Sequence, residues 1–372
     1  MPGLRPLSIV HTEASDGWGG QEMRILKESL GMAARGHRVA VAAPPHSMIN
    51  QRARRAGLRV FDADFSKKDP RSFLRMRATL REAEADVLNT HSSRDSWVAG
   101  LAARTLRRPP LVIRTRHLST PIGNTPLSRL IYEGVTDAIM TTGEEIRRAM
   151  IEENRFSPAK IVSVPTGVDL SVFDPSTTEK TLETKGFSVG MVSVLRSWKG
   201  HEYFLRAVPI ILGEVSDAFF YIAGEGPQRG NIERLITELS LGDRVFMLGH
   251  REDVPGVMKS LDVVVHPSYA GEGVPQSILQ AFAMMRPVVA ADAGAISEVV
   301  KDGETGLLIP PKDPAAIARG VAELYRSPAL RARLAEGGRD LLRGKYSFSG
   351  MLDSIEALYG RLLREKRGNR DV

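Results

Sequence analysis

An acid and an amide stand eight residues apart in the stretch GEGVPQSILQAFAMMRPVVA, which begins at Gly271. Glu272 follows the apolar run 261–265, which predicts a buried strand, and Pro275 is expected at the first position of the next helix. Gln280 is the single polar side chain in the apolar part of that helix. An unpaired buried amide costs about 1–3 kcal/mol. We therefore expect Gln280 to bind ligand hydroxyls, or else to bond to backbone inside the core.

Two cations stand three residues apart after another apolar run. Arg196 and Lys199 follow GMVSV and precede a helical pattern that has Gly200 near its start. Two fixed cations beside a helix N-terminus can neutralise a diphosphate without a metal ion. The spacing indicates a diphosphate site, with an exposed charged turn as the structural alternative.

Glycines cluster in two loops that also follow apolar runs. Gly17, Gly19 and Gly20 precede the first helical pattern, where close backbone approach and unpaired N–H groups favour an anion. A simple turn between strand and helix would use the same residues. The stretch GEGPQRG at 224–230 has three residues between its last two glycines, so we interpret it as a tight turn and not as a dinucleotide fingerprint.

Two histidines end strands in the first half of the chain. His117 follows PLVIRTR, and His91 follows DVLNT one unit earlier. Open parallel sheets bind ligands beyond the carboxyl ends of their strands. Both histidines are therefore candidates for a ligand site, with a surface or capping histidine as the alternative, and position alone does not choose between them.

The elements that must position these residues alternate between short apolar strands and longer amphipathic segments, which is typical of βαβ units and a parallel sheet. The pattern breaks in the polar, Thr-rich stretch 168–186, which predicts a linker, and then restarts. We predict two Rossmann-like, doubly wound α/β domains that face a central cleft, residues 1–175 and 176–347, followed by a C-terminal helix in 348–372. The predicted strands are 7–12, 37–43, 85–91, 110–117 and 137–143, and then 187–194, 218–224, 244–249, 262–267 and 286–292.

The composition is that of a globular protein: 372 residues, of which 42% are hydrophobic and 26% charged. Without cysteine there is no disulfide framework and no thiolate metal site. The sequence has no apolar run of 18 residues and no signal-peptide pattern. We therefore expect a cytoplasmic chain.

The net charge of +7 is unevenly distributed. Residues 1–180 hold 27 Lys and Arg against 20 Asp and Glu, whereas residues 181–372 hold 24 of each. The basic residues are not interleaved with aromatic ones, so we expect no nucleic-acid partner. An anionic membrane surface is the second interpretation, with peripheral binding, and a solvated face without a partner is the third.

Taken together, these motifs resemble the group 1, or family 4, retaining glycosyltransferases, which have the GT-B fold. The resemblance covers nearly the whole chain and is weakest over 44–85 and 118–135. The matching stretches are GGQEMRILKESLGMAARGHRV, IVSVPTGVDLSVFDP, VSVLRSWKGHEYFLRAV, FYIAGEGPQRGNIERL and DRVFMLGHREDVPGVMKSLDVVVHPSYAGEGVPQSILQAFAMMRPVVAADAGAISEVVKDGETGLLI.

The resemblance implies roles for individual residues. Glu272 would contact hydroxyls of the donor sugar, and Gln280 stands where the second acid of the family's E-x7-E element binds the ribose. Arg196 and Lys199 would hold the donor diphosphate, and His117 would face the transferred sugar. The other implied donor-binding residues are Gly19, Gly20, Gly249, His250, Gly273, Val274 and Pro275.

The resemblance also implies glycosyl transfer with retention, from a nucleotide sugar, without a metal ion or other cofactor. We expect a UDP-sugar donor and a saccharide or lipid-linked acceptor in cell-envelope glycan synthesis such as lipopolysaccharide, and a final helix that crosses back to the first domain. The DAD stretch at 62–64 is similar to the metal motif of another glycosyltransferase architecture but has no partner acid nearby. The alternatives are a GT-B nucleotide-sugar epimerase, a two-domain binding protein, and a catalytically weakened scaffold.

Overall fold

The computed structural model describes residues 5–66, 69–117, 120–270 and 272–368. It divides the chain into two compact units. The first is formed by the residues up to Pro165 and from Met351 onwards, and the second by Thr166–Gly350. Each unit is built on one parallel sheet.

Seven parallel strands form the sheet of the first unit, in the order β3-β2-β1-β4-β5-β6-β7. The strands are β1 (Ser8–Thr12), β2 (Arg38–Ala43), β3 (Arg59–Asp62), β4 (Val87–Thr90), β5 (Leu111–Arg116), β6 (Ala138–Thr141) and β7 (Ile161–Ser163). The helices are α1 (Gly20–Ala34), α2 (Met48–Arg55), α3 (Pro70–Glu82), α4 (Ser93–Arg104), α5 (Pro126–Arg129), which a π-helical turn follows, and α6 (Glu144–Glu152). The chain moves outward from β1 to β3 and returns to β4 beside β1, so the strand order reverses between β1 and β4.

The two faces of this sheet are covered by different helices. Val41 of β2 packs with Ile25 of α1 and Ile49 of α2. Its neighbour Ala42 belongs to the cluster that contains Leu80 of α3. Successive side chains of a strand point to opposite faces, so strands covered on both sides are apolar throughout. This explains the short, continuous apolar runs in the sequence.

The second unit has six parallel strands in the order β10-β9-β8-β11-β12-β13. They are β8 (Phe187–Val192), β9 (Ala218–Ala223), β10 (Val245–Gly249), β11 (Val263–His266), β12 (Val288–Ala291) and β13 (Leu307–Ile309). The helices are α7 (His201–Glu214), α8 (Arg229–Glu238), α9 (Val254–Ser260), α10 (Gln276–Ala283), α11 (Pro314–Arg326) and α12 (Pro328–Lys345). Here the order reverses between β8 and β11.

The last helix, α13 (Phe348–Gly368), contributes its residues from Met351 onwards to the first unit. Tyr359 is buried there, with its hydroxyl 3.4 Å from Asn89 Nδ2. Glu356 Oε1 lies 2.8 Å from His37 Nε2. No helix in the described part of the chain is long and apolar enough to cross a membrane.

The prediction of two parallel-sheet α/β units is confirmed, but three strands were missed. β3, β7 and β13 have only three or four residues, and each forms an edge of its sheet, where strands are often short. The stretch 168–186 contains no helix or regular strand. It belongs to the second unit, where Lys259 Nζ donates to the carbonyls of Pro175 and Thr178 at 2.8 and 2.5 Å.

Candidate active site

The loops that follow β8 and β11 meet at an ion pair. Lys199 Nζ lies 2.5 Å from Glu272 Oε1, and Glu272 is only 6% exposed. The two strands are neighbours at the point where the strand order reverses. Open parallel sheets bind ligands at that point, beyond the carboxyl ends of the strands. The structure therefore joins two of the predicted site residues where a ligand is expected.

A glycine allows these two loops to approach each other. Gly200 has a φ of +78°, and a Cβ at this position would lie 2.1 Å from the carbonyl oxygen of Pro267. The carbonyl of Trp198 accepts the N–H of Tyr269 at 3.0 Å. A larger residue at position 200 would push the loop that carries Lys199 away from β11, so this position requires glycine.

A second glycine supports the backbone of Glu272. Gly294 has a φ of +60°, and a Cβ there would lie 2.3 Å from the carbonyl oxygen of Glu272. The same oxygen accepts the N–H of Ala295 at 3.1 Å. On the other side, Gly273 is half-buried and Val274 is buried. The loop after β12 therefore fixes the position of the acid.

His266, the last residue of β11, lies beside the carboxylate. Its Nε2 is 3.8 Å from Glu272 Oε1. The hydroxyls of Ser268 and Ser277 lie 3.1 Å from its Nε2 and Nδ1. Burial lowers the pKa of His266 despite the neighbouring carboxylate, so the ring is neutral at neutral pH.

Glu272 itself is ionised. Burial acts to raise its pKa, but the neighbouring His266 ring and the ammonium charge of Lys199 outweigh that effect and lower the pKa of Glu272 to about 2. An ionised carboxylate only accepts hydrogen bonds. The group can therefore bind hydroxyl groups of a ligand while Lys199 binds an anion beside it.

The helix after Glu272 differs from the prediction at its first residue and at Gln280. Pro275 is the N-cap, with a ψ of 126°, and α10 begins one residue later at Gln276. The helix ends before Met285, whose φ is +54°. Gln280 is half-buried. The expectation of a fully buried amide is wrong, and the argument from its desolvation cost does not apply.

Arg196 has different surroundings from Lys199. Its guanidinium carbon lies 5.3 Å from the centroid of the Trp198 ring. It lines a cavity of about 410 Å³ whose walls include α7, α8 and Tyr269. The described residues that line this cavity include neither Lys199 nor Glu272. The structure thus brings only one of the two predicted cations to the acid.

The predicted donor residues at the end of β10 lie against another loop. The carbonyl of Gly249 accepts the N–H of Gly224 at 2.8 Å, and His250 is exposed. Gly224 has a φ of +146°, and a Cβ there would lie 1.9 Å from the carbonyl oxygen of Ser193. The stretch 224–230 therefore turns tightly against the segment after β8 that leads to the ion pair.

In the first unit, the two candidate histidines are in contact. His91 Nδ1 lies 2.9 Å from His117 Nε2. On its other side His91 Nε2 lies 3.0 Å from Nδ1 of His11, a residue of β1. Burial lowers the pKa of all three rings, and for His117 the nearby charge of Arg24 adds to the effect. The row of rings is neutral at neutral pH.

The glycine loop after β1 carries two buried acids. Gly19 is the N-cap of α1, which begins at Gly20, and its N–H donates to Glu22 Oε2 at 2.8 Å. An N–H group that we expected to be open to an anion is therefore already bonded. The carboxylate of Glu13 accepts the next two backbone N–H groups at 2.8 Å each. Burial and the nearby Asp95 carboxylate raise the pKa of Glu13 to about 8.

Five residues around these groups were missed by sequence reasoning. His266 ends a strand, so the rule that selected His91 and His117 would also have found it. His11 and Glu28 are polar residues within a strand and a helix, and nothing local marks them. The five missed residues are His11, Glu13, Glu28, His266 and Gly294.

The DAD stretch has a structural role. Asp62 Oδ1 accepts hydrogen bonds from Asn50 Nδ2 at 2.9 Å and from Arg54 Nη2 at 2.7 Å. Across the described residues, no group of three or more His, Asp or Glu side chains could hold a metal ion.

Two doubly wound parallel-sheet units in one chain define the GT-B fold. Two family models also match the chain. The model of "Glycosyltransferase Family 4" matches residues 18–172, and that of "Glycosyl transferases group 1" matches residues 174–341. The chain belongs to the group 1, family 4 glycosyltransferases, as the sequence motifs predicted.

Individual relatives agree with this assignment. The chain is similar to the Escherichia coli UDP-Gal:alpha-D-GlcNAc-diphosphoundecaprenol alpha-1,3-galactosyltransferase, with 27% identity over 78% of this chain and 79% of the relative. It is also 27% identical to the phosphatidyl-myo-inositol mannosyltransferase of Mycobacterium leprae, over 92% of each chain. A crystal structure of Anabaena HepE in complex with UDP and glucose shares the fold, with a TM-score of 0.81 and 19% identity over 95% of this chain and 99% of HepE.

Proposed function

We propose that this chain transfers a sugar from a nucleotide-sugar donor to a saccharide or lipid-linked acceptor with retention of configuration. The observation that carries the proposal is the ion pair of Lys199 and Glu272 at the reversal point of the second sheet. It places the fixed ammonium group of Lys199 beside the ionised carboxylate of Glu272, which can accept hydrogen bonds. A diphosphate and the hydroxyls of a sugar need these two groups side by side.

The proposed reaction breaks the bond between the anomeric carbon and the donor diphosphate. Lys199 and the start of α7 at His201 stabilise the negative charge that develops on the leaving group. Arg196, which is exposed and stands three residues before Lys199, supplies a second cation in this proposal. The acceptor oxygen attacks the oxocarbenium-like sugar on the face that the diphosphate leaves, and the departing phosphate oxygen takes the acceptor's proton. The proposal includes no metal ion.

In this proposal, three side chains bind the hydroxyl groups of the donor. Glu272 accepts hydrogen bonds from the transferred sugar, and these strengthen as positive charge develops on the sugar ring. Gln280, half-buried on α10, offers a carbonyl oxygen to a ribose hydroxyl in place of the family's second acid. His117, half-buried at the end of β5, contacts the transferred sugar.

A uridine nucleotide is the proposed donor. HepE, whose fold is similar, is described with UDP and glucose, and the Escherichia coli relative is named for UDP-Gal. The proposed acceptor is lipid-linked and belongs to cell-envelope glycan synthesis, because the two relatives are named for a diphosphoundecaprenol and a phosphatidyl-myo-inositol substrate.

The charge of the first unit supports an anionic membrane surface as a partner. The residues up to 165 and from 351 onwards hold 31 Lys and Arg against 21 Asp and Glu, whereas residues 166–350 hold 20 against 23. The exposed face of α3 carries Arg71, Arg75 and Arg81 around Leu74. Such a face suits peripheral binding to anionic lipids from the cytoplasmic side.

Nucleotide release tests the proposal. The purified chain is incubated with UDP-, GDP- and ADP-sugars in excess EDTA, with and without a polyprenyl-diphosphate-linked saccharide. We expect UDP release that the acceptor accelerates, with the α-anomeric linkage of an α-linked donor retained in the product. Interconversion of the sugars without transfer would indicate an epimerase. Binding without turnover would indicate a scaffold, which the amide at position 280 makes a specific alternative. Complete loss of activity on chelation, with recovery in Mg²⁺ or Mn²⁺, would contradict a metal-free mechanism.

A further inference from the structure

His11, His91 and His117 form a hydrogen-bonded row in the first unit. The distances between the bonded nitrogens are 3.0 Å from His11 to His91 and 2.9 Å from His91 to His117. His11 is 0% exposed and His91 is 5% exposed, whereas His117 is half-buried. The row therefore connects the interior of the unit with a half-buried residue at the end of β5.

In a row of neutral imidazoles, all the hydrogen bonds between the rings run in the same direction. Each neutral ring has one N–H donor and one lone-pair acceptor, so the tautomer of one ring fixes that of the next. If His11 carries its proton on Nε2, then His91 and His117 also carry theirs on Nε2, and His117 Nδ1 is an acceptor. If the row runs the other way, His117 Nδ1 is a donor.

Glu28 of α1 decides between the two directions. Glu28 Oε1 lies 3.9 Å from His11 Nε2, and both side chains are completely buried. A lone pair that faces a carboxylate in a region of low dielectric is repelled, whereas an N–H is attracted. Arg24 Nε donates to Glu28 Oε2 at 3.1 Å, so the carboxylate beside His11 belongs to a buried ion pair.

Another neighbour of Glu28 is the amide of Asn89, whose nitrogen can donate to the carboxylate. Asn89 Nδ2 lies 3.5 Å from Glu28 Oε1 and 3.4 Å from the hydroxyl of Tyr359. On its other side, the Asn89 amide oxygen accepts the hydroxyl of Thr115 at 2.8 Å. The amide nitrogen of Asn89 therefore faces the carboxylate as a donor.

We propose that Glu28 acts as a positioning residue that sets the tautomer of His117 through His11 and His91. The proton of His117 lies on Nε2, and its Nδ1 presents a lone pair. His117 therefore accepts a hydrogen bond from a ligand hydroxyl and does not donate one. The identity of that ligand as a donor sugar rests on the proposed function, whereas the tautomer does not.

The test is NMR spectroscopy of the full chain labelled with ¹⁵N-histidine. Two-bond ¹H–¹⁵N correlations distinguish a ring protonated on Nε2 from one protonated on Nδ1, and the His117 signals are assigned from their loss in His117→Asn. We expect the Nε2–H tautomer for His11, His91 and His117 in the unsubstituted protein. An Nδ1–H tautomer at His117 would overturn the proposal, and this measurement requires no variant of Glu28.

A double variant tests the origin of the tautomer. Arg24→Met with Glu28→Met removes the buried ion pair as a unit, which proteins often tolerate when the volume is kept. We expect His117 to become a mixture of tautomers. The matched control is Arg38→Met with Glu84→Met, an ion pair of 3.2 Å on the surface of the same unit, which should leave the tautomer unchanged. A folded double variant in which His117 remains entirely Nε2–H would contradict the role of Glu28.

Kinetics and ligand titration separate this inference from the proposed function. With an active donor, the buried double variant should lower kcat/KM by roughly two- to tenfold, the effect of one hydrogen bond, and the surface control should not. If the tautomers are as expected but no nucleotide sugar shifts the His117 Nδ1 signal, the sugar-binding role of His117 fails and the role of Glu28 stands.

Discussion

Lys199 Nζ and Glu272 Oε1 lie 2.5 Å apart although 73 residues separate them in the chain. The contact exists because β8 and β11 are neighbours in the sheet and their following loops converge at its carboxyl edge. The pair leaves Glu272 ionised and places a cation beside it.

Removal of the acid should impair catalysis more than folding. We expect Glu272→Ala to lower kcat/KM at least tenfold, about 1.4 kcal/mol of transition-state stabilisation, because its hydrogen bonds to the sugar strengthen as charge develops. Steady-state nucleotide release measures this change. The control is Glu233→Ala, an acid of α8 that is 49% exposed and pairs with Arg229. Equal kinetics of Glu272→Ala and the unsubstituted protein, with both folded, would remove Glu272 from the site.

The two glycines Gly294 and Gly303 allow a matched comparison in the second unit. Gly294 has a φ of +60° and Gly303 a φ of +70°, so alanine costs about 1 kcal/mol of backbone strain at either position. Only at position 294 would the new Cβ meet the carbonyl of Glu272, at 2.3 Å, while nothing lies within 4 Å of a Cβ at position 303. We expect the same backbone strain in both variants, a further loss of stability from the clash in Gly294→Ala, and a loss of activity of about tenfold or more only in folded Gly294→Ala. Similar kcat/KM values for the two variants would show that the loop after β12 does not position the acid.

Glu13 should make stability depend on pH. Its folded-state pKa is about 8, above its ordinary value of 4.5. The stability that this group contributes is complete below its unfolded pKa and is lost as the pH rises through the folded pKa. The denaturant midpoint of the protein should therefore fall between about pH 5 and pH 8, and Glu13→Gln, which stays neutral, should fall less. At pH 8 we expect the variant to be more stable by at least about 1 kcal/mol.

The control for Glu13 is Glu84→Gln, an acid that is 73% exposed in the same unit. Its curve should run parallel to that of the unsubstituted protein. If the Glu13→Gln curve is also parallel over the whole range, then the carboxyl of Glu13 is not held neutral in the folded state.

The basic face of α3 should mediate salt-sensitive binding to anionic vesicles. Electrostatic attraction is screened beyond roughly 10 Å at 0.1 M salt. The full chain should therefore sediment with the vesicles at low salt and dissociate from them at about 0.5 M salt. Replacing Arg71, Arg75 and Arg81 together with Gln should reduce sedimentation at low salt by more than about fivefold, since each cation near the surface contributes about 1 kcal/mol.

The control for the α3 variant replaces three exposed arginines of the second unit with Gln. They are Arg234, Arg319 and Arg343. Both variants lose the same net charge, so only the position of the charge differs. Equal loss of binding in the two variants would show a non-specific charge effect, and an absence of vesicle binding by the unsubstituted protein would leave a soluble acceptor as the alternative.

Local sequence patterns determined the class of fold and several site positions. The apolar runs at β8 and β11 predicted strands because both faces of a parallel sheet are buried. The polar residues in the loops after them, Lys199 and Glu272, were therefore expected at one edge. The roles of Arg196 and Gln280 were inferred from family resemblance and spacing and stay predictions.

The tertiary structure decided which loops meet and which side chains are buried. Strand order depends on how the connections cross the sheet, and no local pattern encodes it, so only the fold brings Lys199 to Glu272. Likewise His11 and Glu28 are ordinary residues of β1 and α1 in the sequence. Packing of α1 on the sheet excludes water from both, so the position of the His11 proton depends on the buried carboxylate beside it.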